Sequence, residues 1–256
     1  MCNLKFLKLE NYIFGIHPII EALEEGNEPE KIFIQKGLSG NNFQKLFQII
    51  REKNIPFQMV PVEKLNRITR KNHQGVIAQI ALISYHKLDM LIPTIYEKGE
   101  TPLLVVLDKI TDVRNLGAIA RSAECAGAHA IILSEKGSAP VNADAIKTSA
   151  GALSRIPVCR EREILESLAF IKESGITIAA CTEKAQHSIY ETALTGPLAI
   201  IMGSEEKGIS KACITMSDFV MAIPQKGKTA SLNVSVATGI VLFEALRQRE
   251  FIGNKN

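Results

Sequence analysis

From Thr101 onward the chain alternates short apolar runs with longer amphipathic stretches, and few folds satisfy that alternation. Leu103-Leu-Val-Val-Leu-Asp108 is the first such run, and comparable ones fall at 129–134, 156–159, 176–181, 197–202 and 218–222. They are short, rich in β-branched residues and apolar nearly throughout, which is the mark of strands buried on both faces. Helical spacing places helices near 116–126, 142–152, 161–174 and 234–249. Strands and helices in regular alternation make an α/β fold, a parallel sheet with helices on both sides. Ser149-Ala-Gly-Ala152 adds small side chains where a helix can approach backbone closely.

The first part of the chain is built differently. Tyr12-Ile-Phe-Gly predicts a turn, followed by a helix with Pro18 in its first turn and Gly26 as its stop. Lys31–Gln35 reads as a strand. The stretch 42–53 carries Phe43, Leu46, Phe47 and Ile50 at helical period. A strand at 56–60, a short helix at 62–71 and a strand at 76–82 complete a small α/β module. Residues 1–10 read as a poorly ordered lead-in. The expected division is a front domain at 1–84, a linker and connecting helix at 85–100, and a larger domain at 101–256.

Composition removes several classes. With 46% hydrophobic residues in 256, the chain has enough apolar material for packed cores. No apolar run approaches the ~20 residues of a membrane helix, and the first residues lack a signal-peptide core. A cytoplasmic protein without membrane partners is expected. The cysteines, Cys2, Cys125, Cys159, Cys181 and Cys213, include no Cys-x-x-Cys pair. That suits a reducing compartment and speaks against a metal site. Cys125 and Cys181 read as small core residues. There is no phosphate-binding Gly-x-x-x-x-Gly-Lys loop, no Gly-x-Gly-x-x-Gly and no Gly-x-Ser-x-Gly.

Net charge is only +3, but its distribution is uneven. Lys64-Leu-Asn-Arg-Ile-Thr-Arg-Lys-Asn-His73 holds five basic or titratable side chains and no acid. Arg67, Arg70 and Lys71 are candidates for a nucleic-acid backbone, against the plain alternative of a solvated helix surface. His73 could touch RNA or fix a turn, and a turn is preferred for His17.

Three Gly-bearing polar loops follow apolar strands or open a helix: 109–121, 203–210 and 223–237. Ligands of open α/β sheets gather at the carboxyl ends of strands, so a single composite site is expected. Ser231 and Asn233 stand where a helix cap belongs, beside unpaired N–H groups.

Together these loops resemble the SpoU/TrmH class of the SPOUT RNA methyltransferases. Asn115, Gly117 and Arg121 resemble its motif 1. Gly203, Glu205 and Gly208 resemble motif 2, and Ile223-Pro224 with Ser231-Leu-Asn-Val-Ser-Val-Ala237 motif 3. Val113 and Gln225 stand where the family usually has Pro and Met. The front module resembles an L30e-like substrate-binding domain through Gly15-Ile-His-Pro-Ile19 and Asn72-His-Gln-Gly-Val76.

The resemblance implies a C-terminal trefoil knot that binds S-adenosyl-L-methionine, and a homodimer through the catalytic domains. It implies methylation of a ribose 2′-OH, of guanosine in 23S rRNA. A tRNA 2′-O-methyltransferase or a non-catalytic ribosome-assembly factor is the alternative. It puts Arg121 at the ribose or its phosphate, acting as an electrostatic clamp, because a guanidinium stays protonated and makes a poor base. Asn115 would orient the loop or the arginine, and Glu205 would bind loop backbone or position Arg121. Ser231 and Asn233 would contact the ribose or the cofactor edge. Backbone groups of Gly203, Ile223 and Leu232 would contact the cofactor.

Overall fold

The computed structural model describes residues 11–27, 29–229 and 231–252. The lead-in at 1–10 and Cys2 lie outside the described residues. The chain divides into two compact units, Met1–Ser84 and Tyr85–Asn256.

The first unit is a four-stranded sheet with three helices. Its elements are β1 (Tyr12–Phe14), α1 (Ile16–Glu24), β2 (Pro29–Gln35), α2 (Asn41–Glu52), β3 (Phe57–Val60), α3 (Val62–Ile68) and β4 (Val76–Ile80). The order is β1-β4-β2-β3, with β4 antiparallel to both neighbours and β3 parallel to β2. Helices α1 and α2 bury Ile19, Ile20, Leu23, Leu46 and Ile50 against Ile32, Ile34, Val76 and Ala78 on one face. The other face holds Val60, Leu65 and Ile77, with Tyr12, Phe14 and Phe33 packed half-buried around them.

Two expectations change in this unit. Tyr12–Phe14 is an edge strand, not a turn, and three residues are too few to show an alternation. Helix α3 ends at Ile68 because Thr69 is extended (φ −147°, ψ 152°), so Arg70 and Lys71 follow the helix rather than extend its face. His73 is buried. Its Nε2 meets Asn66 Oδ1 at 3.0 Å, and its Nδ1 accepts the Gly75 N–H at 3.0 Å. Both ring nitrogens are engaged in the turn, which removes His73 as an RNA contact. His17 bonds Asn42 at 3.1 Å and ties the start of α1 to that of α2.

The second unit begins with α4 (Leu88–Glu97). It continues through β5 (Leu103–Asp108), α5 (Val113–Cys125), β6 (Ala130–Ser134), α6 (Ala143–Thr148), β7 (Val158–Glu161), α7 (Ile164–Glu173) and β8 (Thr177–Cys181). β9 (Leu198–Gly203), α8 (Lys211–Met216), β10 (Phe219–Met221) and α9 (Val234–Arg247) close it, and Gln248–Ile252 adds one π-helical turn. The six strands are all parallel, in the order β10-β8-β9-β5-β6-β7. The expected α/β class and parallel sheet are what the chain forms. All six residues of β5 are buried, as a central strand requires. Helices α4, α7 and α8 pack on one face through Leu88, Ile92, Ile95, Leu168, Ile171 and Cys213, so the expected connecting helix is part of this core. Helix α5 packs with both α6 and α9 beyond the other face. Gly117 permits it: a Cβ there would sit 2.7 Å from the Ala145 carbonyl oxygen.

Helix α8 has only six residues and escaped the periodicity. Cys125, expected in the core, faces solvent at the end of α5. From β5 the chain winds outward to β7, then returns beyond β5 to place β8 and β9 on its other side. The winding reverses between β5 and β9, and that is where crevices open in such sheets. Arg249, in the π-turn, donates to the carbonyls of Leu194, Thr101, Pro102 and Gly196 at 3.2, 3.0, 3.0 and 2.6 Å.

Candidate active site

The expected composite site forms where β5 and β9 end. Asp108 and Gly203 are the last residues of the two strands and are direct partners across the ladder. Asp108 is 3% exposed, and its Oδ2 accepts the Ser210 N–H at 2.6 Å. The aspartate thus holds the far end of the loop that Gly203 begins. Gly203 lets that loop fold flat. A Cβ at this position would lie 2.2 Å from the Gly208 carbonyl carbon and 2.2 Å from the Ile209 nitrogen. Ser204 and Gly208 pair as an isolated bridge within the loop.

The loops meet in one polar network. Asp112, not Asn115, caps α5: its side chain accepts from the backbone N–H groups of Arg114 and Asn115, each at 2.8 Å. That frees the Asn115 side chain, whose Nδ2 donates to Glu205 Oε1 at 3.0 Å. Asn233 caps α9, its Oδ1 accepting from the backbone of Ser235 and Val236. Its Nδ2 donates to Asn115 Oδ1 at 3.0 Å and also to Glu205 Oε1. Two amides from different helices therefore hold one carboxylate oxygen. Such a carboxylate is fixed in direction, and charge-assisted bonds of this kind are the stronger class.

Beside the network lies a cleft lined by Gly203, Glu205, Ile223, Ser231, Leu232 and the chain between Cys181 and Lys184. It brings the three expected cofactor positions together with Ser231. Burial pushes the Cys181 thiol up to about 12, with Glu183 adding to the rise. Cys181 is therefore a neutral wall residue.

Arg121 does not join the network. It is six residues along α5 from Asn115, a rise of ~9 Å, and it is exposed with no ion-pair or hydrogen-bond partner among the described residues. Glu205 thus positions asparagines rather than Arg121. Arg67, Arg70 and Lys71 are exposed in the first unit. Among the described residues no group of three His, Cys, Asp or Glu side chains could hold a metal ion, and no helix is long and apolar enough to cross a membrane. Sequence reasoning missed Asp108 and Asp112. The usable signal for Asp108 was a carboxylate ending an otherwise apolar strand, which must find a buried donor.

Residues 102–243 match the SpoU rRNA Methylase family, and residues 12–86 match the family described as RNA 2′-O ribose methyltransferase substrate binding. The chain is 38% identical over 244 residues to the 23S rRNA (guanosine-2′-O-)-methyltransferase RlmB of Vibrio parahaemolyticus, covering 93% of this chain and 97% of that protein. It is 32% identical over 243 residues to the putative TrmH family tRNA/rRNA methyltransferase YacO of Bacillus subtilis, covering 95% and 98%. Among solved structures, the SpoU methyltransferase AviRb of Streptomyces viridochromogenes superposes with a TM-score of 0.60 at 24% identity, over 96% of this chain and 94% of that one.

Proposed function

The chain belongs to the SpoU rRNA Methylase family, and from that premise we propose that it methylates the ribose 2′-OH of a guanosine in 23S rRNA, using S-adenosyl-L-methionine. One observation carries the reading to this chain. Asn115 of α5 and Asn233, the cap of α9, converge on one carboxylate oxygen of Glu205 beside a cleft at the sheet's switch point.

The cleft fits the cofactor. Gly203 lets the loop pack backbone to backbone, so peptide groups of 203–209 form one wall. Ile223 and Leu232 supply apolar surface for a base, and Ser231 a hydroxyl for a ribose edge. When bound there, S-adenosyl-L-methionine supplies an activated methyl group. Glu205 keeps its second oxygen open toward an incoming hydroxyl, and the two asparagines fix its direction. Arg121 offers an unpaired cation to a ribose phosphate. Orientation of the reacting groups accounts for much of the rate in such a site.

The protein acts as a homodimer in the cytoplasm. Support for the dimer comes from Val236 and Phe243, each 50% exposed and seven residues apart on one side of α9, with Phe251 70% exposed beyond them. Support for the knot comes from the parallel order in which β8 lies between β9 and β10 while α9 returns to pack on α5.

The test is transfer of labelled methyl groups from S-adenosyl-L-methionine into protein-free 23S rRNA and tRNA. Glu205→Gln keeps an acceptor oxygen for both asparagines but removes the charge. Its expected effect is a fall in kcat of ~10²-fold or more with cofactor affinity unchanged. Alkali-resistant label at one guanosine of 23S rRNA supports the reading. Label in tRNA alone would replace the substrate, and a fully active Glu205→Gln would remove Glu205 from the chemistry.

A further inference from the structure

The loop from Ser204 to Lys207 borders two cavities. One is the cleft already assigned to the cofactor. The other, of about 540 Å³, shares Ser204, Glu205, Glu206, Lys207 and Val234 with the first. Asn115 lines only the second, and Ile223, Ser231 and Leu232 only the first. Glu205 therefore stands in a wall common to two chambers, held in place by Asn115 and Asn233.

Three lysines converge on the second chamber from three separate segments. Lys109 follows β5, Lys136 lies beyond β6 and Lys207 beyond β9. The three strands stand side by side in the order β9-β5-β6. Their carboxyl ends span ~10 Å, room for more than one anionic group. All three lysines are exposed, and none has an ion pair among the described residues. The carboxylates of the chamber are committed elsewhere. Asp112 is taken up in capping α5, and Glu205 by the two asparagines. That leaves Glu206 against three cations, a balance that suits phosphate.

Lys109 carries a second sign. Its φ is 60°, in the left-handed region, where a side chain crowds its own backbone and glycine would be at ease. Among the described residues, Asn54, Gln74, Lys109 and Ala150 are the ones other than glycine with such a φ, and only Lys109 is charged. Its neighbour Asp108 is tied to the Ser210 N–H, so the turn that presents Lys109 is anchored from below. Backbone strain of this kind persists where the surroundings fix it, and it gathers at ligand-holding positions.

We propose that this second chamber receives the target nucleotide of an RNA strand, with Lys109, Lys136 and Lys207 binding the phosphates on either side of it and the ribose turned toward Glu205. The assignment rests on the reading that the protein methylates RNA. The acceptor then enters on one flank of Glu205 and the methyl donor on the other. Three cations at the chamber itself are added to Arg121, which stands further along α5.

Lysine acylation by a small reagent, read by mass spectrometry on the full-length protein, tests the contact without relying on turnover. Protein-free 23S rRNA should abolish most of the reactivity of Lys109, Lys136 and Lys207, while Lys98, the cap at the end of α4, stays reactive. S-adenosyl-L-methionine alone should leave Lys109 and Lys136 reactive, since they line only the second chamber. Three lysines as reactive with rRNA as without it would overturn the proposal. Equal protection by a free nucleoside triphosphate, at the same phosphate concentration, would reassign the chamber to a free nucleotide and overturn it as well. Lys109→Gly removes the ammonium and relieves the backbone, so Tm should not fall. It should raise the KM for rRNA about tenfold and leave cofactor affinity unchanged. The slope of log(1/KM) against log salt should fall by roughly 0.7–1, and Lys109→Arg should restore it. An unaltered KM and salt slope in Lys109→Gly would remove Lys109 from the site and with it the proposal. Methyl transfer is assayed separately on the same samples. Protection without methyl transfer would leave the chamber standing and sink the enzymatic reading, and methyl transfer without protection would do the opposite.

Discussion

Gly203 is the residue at which one added carbon would disturb most. The ladder partner of Asp108 has no room for a Cβ, since the nearest atoms are backbone of the loop's own far end and cannot swing aside. Gly203→Ala is expected to open the loop, and calorimetry should show cofactor affinity reduced by tenfold or more while the circular dichroism spectrum is kept. Overpacking of this kind costs ~1–3 kcal/mol. The buried thiols make a second residue-level prediction. Burial raises both Cys159 and Cys181 to about 12, above the ordinary value near 9. The folded state then keeps protons that the unfolded chain gives up. The stability they contribute is whole below pH ~9 and is lost as pH rises toward ~12. Tm measured between pH 8 and 10.5 should fall more steeply in the wild type than in Cys159→Ala/Cys181→Ala, and parallel curves would refute the link. The sequence marked Asn115, Glu205 and Asn233 by their loops but not their mutual bonds. Which amide meets which carboxylate depends on side-chain directions that only the assembled backbone sets.

At the scale of elements, legibility followed burial. β5 and β9 are apolar from end to end because both faces are covered, and their positions were plain in the sequence. β1 and α8, with three and six residues, carry too little pattern to be seen. The expected start of α5 near 116 falls three residues late, because Asp112 and Asn115 are both good capping residues and only the backbone decides between them. Strand order could not be read at all, since it joins segments through contacts that leave no periodic trace. Arg249 shows what such a contact contributes. It fastens the turn after α9 to the start of β5 and to the loop before β9 through four carbonyls. Removing it strips four acceptors, two of them partly buried, of a charged donor, and such bonds contribute ~1.5–3 kcal/mol. Arg249→Ala should lower stability by ~2–4 kcal/mol in urea unfolding. Arg249→Lys should recover less than half, because an ammonium cannot span the same four oxygens. Full recovery by lysine would show that charge alone matters there.

The whole molecule separates two tasks. The second unit holds the cleft and its polar network, and the first presents the exposed Arg67, Arg70 and Lys71. Phe243→Asp tests the assembly proposed for the second unit: sedimentation should show a dimer for the wild type and a monomer for the variant. A monomeric wild type would end that proposal. The network also has a consequence for how occupancy and folding are tied. Asn115 lies 90 residues from Glu205 and 118 from Asn233, so no local fragment can hold a half-built version of it. Any opening that releases α9 erases the whole binding site at once. Mass action then runs in both directions. A ligand at a hundred times its Kd adds ~2.7 kcal/mol against that opening, so starvation for the methyl donor would leave the protein easier to unfold and to digest. The supply of a metabolite would thereby set the lifetime of the protein that consumes it.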